Sequence, residues 1–129
     1  MTFDQARPIV EARLFAYAML IREYPDAPPS SLSQRLGTSV QTSDTTSTQE
    51  RWAARHASEL ANAAIIERVL KVLPGDERRL VEMRYFEYAR WDYICKTLAV
   101  SRPTAYRIRD RALMVFAHEF GLLACATAS

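Results

Sequence analysis

The chain has 129 residues, 49% of them hydrophobic and 25% charged, with a net charge of +2. That is enough apolar material for one cored domain, which excludes a globally disordered polyelectrolyte. No apolar run approaches the ~20 residues of a membrane span, and the two cysteines, Cys95 and Cys125, are too few and too far apart for a disulfide framework.

The first segment, residues 1–24, reads as an N-terminal helix from about Pro8 to Tyr24. Pro8 suits a first turn, where its missing N–H costs nothing, and Pro25 ends the run. Asp4, Glu11 and Arg13 interrupt the apolar character, so the segment does not read as a secretory leader. The expected location is the cytoplasm, in a bacterial host cell. Phe15, Tyr17 and Met19 are dense enough to serve either an internal core or an intermolecular contact.

Residues 25–46 are rich in Pro, Ser and Thr and read as a polar linker. A long connecting helix is expected over residues 47–73. Ser47 followed by Glu50 is a capping-box pattern. Trp52, His56, Leu60, Ala63, Ile66, Val69, Leu70 and Leu73 then recur at helical spacing. This stripe fits an internal core or a dimer seam. Pro74 and Gly75 stop the helix.

Residues 74–120 form the last unit, with a tail at 121–129. A helix is expected from Asp76, a good N-cap residue, with Leu80, Val81, Met83, Tyr85 and Phe86 at helical spacing. No strand pattern and no internal repeat occurs, so the expected fold is all-α: an N-terminal helix, a long connecting helix and a C-terminal helical unit.

The densest signal is residues 91–113, WDYICKTLAVSRPTAYRIRDRAL. It has the pattern of a helix-turn-helix. Ile94 and Leu98 face inward from the first helix, Cys95 fills a position that takes only a small residue, and Val100 plugs the turn. Ala105 and Ile108 are the inward residues of the second helix. Ser101 is a strong N-cap, and Pro103 falls in the first turn. Ala99 stands where the chain turns left-handed and glycine is commonest, at a cost of about 1 kcal/mol.

Charge is concentrated in the same stretch. Between Arg90 and Arg111 lie Arg90, Lys96, Arg102, Arg107, Arg109 and Arg111, against only Asp92 and Asp110. The rest of the chain is slightly acidic. A basic helix at the end of such a motif points to double-stranded DNA. Arg102, Thr104, Tyr106 and Arg107 lie on the outward face and are the expected base contacts, since arginine can pair with guanine O6 and N7. Arg90, Lys96, Ser101, Arg109 and Arg111 are the expected phosphate contacts that set register. One such motif reads few base pairs, so a homodimer is the expected assembly.

Residues 73–117, LPGDERRLVEMRYFEYARWDYICKTLAVSRPTAYRIRDRALMVFA, resemble region 4 of bacterial sigma factors. They are still more similar to the ArpU/RinA-type phage transcriptional regulators, which carry this sigma-region-4-like module at the C-terminus. The segment SDTTSTQE before the long helix is similar to a Ser-Asp-Pro-Thr stretch of that family, with Thr45 in place of the proline. Residues 1–45 match only in general character. The resemblance implies a phage or prophage activator of late genes, with recognition residues at Arg102, Thr104, Tyr106 and Arg107. It leaves open a contact with RNA polymerase.

No metal, cofactor or catalytic constellation is expected. His56 and His118 lack a Cys, Asp or Glu partner at useful spacing, and Cys95 reads as a small core residue. The expected mechanism is binding without catalysis. Two other classes compete with it: a small terminase subunit of a phage packaging machine, and a helical interaction module that binds no DNA. The first usually places its DNA-binding motif at the start of the chain rather than the end.

Overall fold

Thr2 and Gln5 open the first helix by bonding to each other's backbone. The Thr2 N–H donates to Gln5 Oε1 at 2.9 Å, and the Gln5 N–H donates to Thr2 Oγ1 at 3.3 Å. This is a capping box, and it satisfies two donors that a helix start otherwise leaves orphaned. The structure is a computed structural model that describes residues 1–23, 54 and 56–123. Helix α1 runs Phe3–Glu23, so Pro8 lies inside it and not in its first turn. There Pro8 is exposed and offers no N–H to the Asp4 carbonyl.

Helix α2 covers Ala57–Val72 and ends at Leu73, whose backbone is extended (φ −70°, ψ 142°). Pro74 causes this, because its ring disfavours the helical region for the residue before it. Helix α3 follows at Gly75–Val81, with Pro74 and not Asp76 at its N-cap. It passes directly into a wide turn at Glu82–Phe86, closed by the Glu87 N–H on the Glu82 carbonyl at 3.0 Å. Helix α4 is Trp91–Leu98 and α5 is Arg102–Glu119. The described residues are helical with no strand, an all-α fold.

Leu60, Ala63, Ile66, Val69, Leu70 and Leu73 of the α2 stripe are all buried inside the molecule. They pack with Ala6, Val10, Leu14, Tyr17 and Leu20 of α1. The stripe is therefore internal core and not a dimer seam over these residues. Trp52 and the Ser47–Glu50 cap lie outside the described residues, as do the linker expected at 25–46 and Cys125. Tyr17 is buried too, its ring 5.3 Å from that of Phe86, whereas Met19 is exposed.

Helix α5 serves two cores. Its first half gives Ala105 and Ile108 to a small cluster with Leu80, Met83 and Ile94. Its second half gives Ala112, Leu113, Phe116 and Ala117 to the larger α1–α2 cluster. One continuous helix thus couples the α4–α5 pair to the N-terminal helices. Val81 and Tyr85 from α3 and its wide turn reach the larger cluster, and Leu80 and Met83 reach the smaller one.

Polar bonds tie α1 to the wide turn and to α2. The Tyr85 hydroxyl donates to Glu11 Oε2 at 2.7 Å, and the Tyr17 hydroxyl donates to Glu67 Oε2 at 3.4 Å. Burial pushes both phenols above their ordinary range. For Tyr85 the bond to Glu11 and its negative charge add to burial, and for Tyr17 the charge of Glu67 adds. A phenol whose folded pKa is raised stabilises the fold below its unfolded pKa, near 10, and loses that contribution as pH rises. Stability should therefore fall above about pH 10 by roughly 1.4 kcal/mol per pH unit for each tyrosine. Denaturant midpoints measured across this range should show a shallower fall in Tyr85→Phe, and an unchanged slope would contradict the assignment.

Among the described residues, two other than glycine adopt positive φ, Tyr88 at 58° and Ala99 at 59°. Tyr88 lies in the connection from the wide turn to α4. Its ring stacks on Phe15 with centroids 5.7 Å apart, and the Arg22 guanidinium covers it at 4.5 Å. Arg22 Nη2 also donates to the Phe86 carbonyl at 3.1 Å. These contacts hold a conformation that a free tyrosine rarely takes.

Candidate nucleic-acid interface

The joint between α4 and α5 consists of Ala99, Val100 and Ser101. Ala99 is left-handed (φ 59°, ψ 46°), as the missing glycine led one to expect. Its N–H donates to the Lys96 carbonyl at 3.3 Å, and the Val100 N–H donates to the Cys95 carbonyl at 3.0 Å. This pair of bonds is a Schellman closure, which satisfies two carbonyls at the end of α4. Val100 packs beneath it, with Cys95 and Leu98, against the smaller core. Ala99 is exposed, so Ala99→Gly removes backbone strain without removing packing. The substitution should raise unfolding free energy by about 1 kcal/mol. Denaturant melts check it, and a loss of stability would show that the strain is absent.

Ser101 starts α5. Its hydroxyl accepts from the Thr104 N–H at 3.3 Å and donates to Thr104 Oγ1 at 3.1 Å. Pro103, in the first turn, brings no donor. The cap therefore uses Ser101 and Thr104 mainly on each other. Both remain at the surface, Ser101 fully and Thr104 in part.

The outward face of α5 carries Arg102, Pro103, Arg107, Arg111 and Met114, all exposed. Their partners separate them. Arg107 makes no ion pair or hydrogen bond among the described residues, and the same holds for the Arg90 and Lys96 side chains. Arg102 pairs with Asp92 across the α4–α5 joint. The hydrogen bond that Arg102 donates to Asp92, and the charge of Asp92, raise the Arg102 pKa further above its ordinary value. Arg111 Nε lies 3.4 Å from Glu77 Oε2, and the Glu77 side chain is only 12% exposed. Moving Arg111 to an external anion would leave that buried carboxylate without its cation, which is costly.

Arg109 is placed differently from the other cations. Its side chain is 18% exposed, and its Nε donates to Asp110 Oδ1 at 2.9 Å. The guanidinium lies 4.9 Å from the Tyr106 ring centroid and 5.9 Å from that of Trp91. Trp91 and Tyr106 meet edge to face with centroids 5.0 Å apart. Arg84 approaches the Trp91 ring from α3's wide turn at 5.1 Å, and its Nη1 donates to the Ala89 carbonyl at 3.1 Å. These alternating cations and rings join α3, α4 and α5, with cation–π attraction supplementing the small apolar core beneath.

The structure therefore brings Arg102, Thr104, Tyr106 and Arg107 to the start of α5, with Arg107 free and Tyr106 half-packed. Arg90 and Lys96 are free on α4 and at its entry. Arg109 is turned into the stack. The role of Arg84 and Arg109 as mortar between helices was not foreseen. Its one sequence signal is the recurrence of Arg and aromatic residues at Arg84, Trp91, Tyr106 and Arg109, which sequence spacing alone does not bring together.

Among the described residues no three His, Cys, Asp or Glu side chains converge to hold a metal ion, and no helix is long and apolar enough to cross a membrane. No family model, curated protein or solved structure matches the chain.

Proposed function

We propose that the chain is a sequence-specific double-stranded DNA-binding regulator of transcription. In this reading α4, the left-handed joint and α5 act as a helix-turn-helix, with α5 entering the major groove. The supporting observation is the pairing pattern around that joint. Arg107 on α5 and Arg90 and Lys96 around α4 carry charge that no side chain of the described protein neutralises. Arg90 occupies the N-cap of α4 with no side-chain bond. A cation there is opposed by the helix dipole and does nothing for the cap, so its use lies outside the fold. A phosphate would supply the missing partner.

Phosphate contacts by Arg90 and Lys96 would give affinity and register, and base-edge contacts by Arg107 and Arg102 would give sequence choice. A phage or prophage late-gene activator is the preferred setting, on the resemblance that the motifs of residues 73–117 suggest. A second copy of the chain is the preferred partner, with the cytoplasm of a bacterial cell as the site of action. No enzymatic step is invoked.

A salt series on fluorescent duplex tests the electrostatic half of this reading. Arg90 and Lys96 on phosphates should make log K fall against log salt with a slope of about −2, near −0.9 for each phosphate neutralised. Arg90→Ala and Lys96→Ala should each flatten the slope by about one. Salt-insensitive binding would overturn the phosphate assignment.

A further inference from the structure

Asp92 is an anion standing where the proposed function favours cations. It lies in the first turn of α4 with its side chain 79% exposed, and it pairs with Arg102 at the first position of α5. The other anion of this stretch, Asp110, is taken up by Arg109 at 2.9 Å and by Arg7 at 3.9 Å. Asp92 has no such internal duty. Its side chain caps no backbone N–H among the described residues, its first-turn position gains only the modest attraction of the helix dipole, and its one ion pair joins two exposed groups. Exposed pairs of this kind contribute little to stability. The fold alone gives weak reason for a carboxylate here.

The pair changes what Arg102 can do. A lone guanidinium at a helix start would settle on the nearest phosphate and release a counterion, whatever the sequence. Arg102 joined to Asp92 is electrically neutral as a unit, so a phosphate gains little from it. The carboxylate also fixes the fork of the guanidinium, which otherwise rotates over many rotamers. Fixing it in advance lowers the entropy lost on binding a planar acceptor edge. The guanidinium N–H groups not directed at Asp92 remain available to such an edge, and guanine O6 and N7 fit that geometry.

We propose that Asp92 is a positioning residue for sequence choice, holding Arg102 for a base edge and keeping it off the phosphate backbone. This rests on the DNA-binding reading and adds to it. Arg102 then contributes selectivity beside Arg107, and Arg90 and Lys96 contribute the salt-dependent affinity. Asp92 lowers affinity for random duplex as part of the same device.

The test uses the full chain, a duplex recovered by selection from a randomised pool, and a random duplex of equal length. Asp92→Asn should bind the random duplex several-fold more tightly, and its preference for the selected duplex should fall about fivefold, the low end for one bidentate base contact. Its salt slope should steepen by about 0.9 as Arg102 reaches a phosphate. Asp92→Glu, which keeps the anion, should retain the wild-type slope. Arg102→Ala should reduce preference in the wild-type background with little change in slope, and should abolish the added slope in the Asp92→Asn background. Unchanged preference in Asp92→Asn, or a wild-type slope that already drops by about one on Arg102→Ala, overturns the proposal while leaving DNA binding intact. A wild-type chain that selects no duplex overturns the DNA-binding reading and this proposal with it.

Discussion

Phe116→Ala should cost about 3–5 kcal/mol of unfolding free energy. Phe116 is fully buried and is among the largest buried side chains. Its ring stacks on Phe120 at 6.3 Å and packs in the α1–α2 cluster. Truncation removes its transfer free energy and leaves a cavity that neighbours on three other elements cannot collapse to fill. A domain of this size has about 5–15 kcal/mol in total, so the variant should lie close to the limit of folding. The effect should also reach the α4–α5 pair, because α5 is one helix running through both cores. Denaturant unfolding followed by far-ultraviolet dichroism and by Trp91 fluorescence, read in a Trp52→Phe background, should lose midpoint together in one transition. Two separate transitions, with the tryptophan signal unmoved, would show that the two cores are independent.

Arg107→Ala is the second large effect. The substitution removes an exposed arginine with no internal partner, so stability should change little. Binding to a selected duplex should weaken by about 1–3 kcal/mol, with relaxed preference at the base pair that Arg107 is proposed to read. Arg109→Ala makes a useful contrast. Arg109 is tied to Asp110 and to the Trp91–Tyr106 rings, so its loss should appear first in stability. Fluorescence anisotropy against selected and random duplexes separates the two. If Arg107→Ala binds both as the wild type does, the reading face is wrongly assigned.

Much of the fold was legible because local signals agreed with each other. The period of Leu60, Ala63, Ile66, Val69 and Leu73 gave α2 and its buried face, and Pro74 gave its end. Ser101 with Pro103 gave the start of α5, and Ala105 with Ile108 gave its inward side. The left-handed joint at Ala99 was readable because the motif demands it whatever residue is present. Helix α1 starts ahead of Pro8 because the Thr2–Gln5 capping box, itself a pattern present in the sequence, satisfies the first backbone donors there. At α3 the Pro74 turn outweighed the intrinsic capping preference of Asp76.

Other features depended on tertiary contacts and had no local signature. Tyr88 is left-handed because Phe15 and Arg22, distant in sequence, hold its ring. Whether the α2 stripe faced a core or a second copy was a question of what packs on it, and α1 supplies the answer. At the site, residue type identified the cations but not their partners. The anions Asp92, Glu77 and Asp110 distinguish Arg102, Arg111 and Arg109 from the free Arg90, Lys96 and Arg107. The Asp92–Arg102 and Glu77–Arg111 pairs join different helices, and no helical period encodes them.

The most direct measurement is repeated selection of bound duplexes from a randomised pool by the full chain. The account predicts enrichment of a defined sequence element, lost from the pool when Arg107→Ala is used in place of the wild type. Recovery of an unenriched pool after the same number of rounds would contradict it.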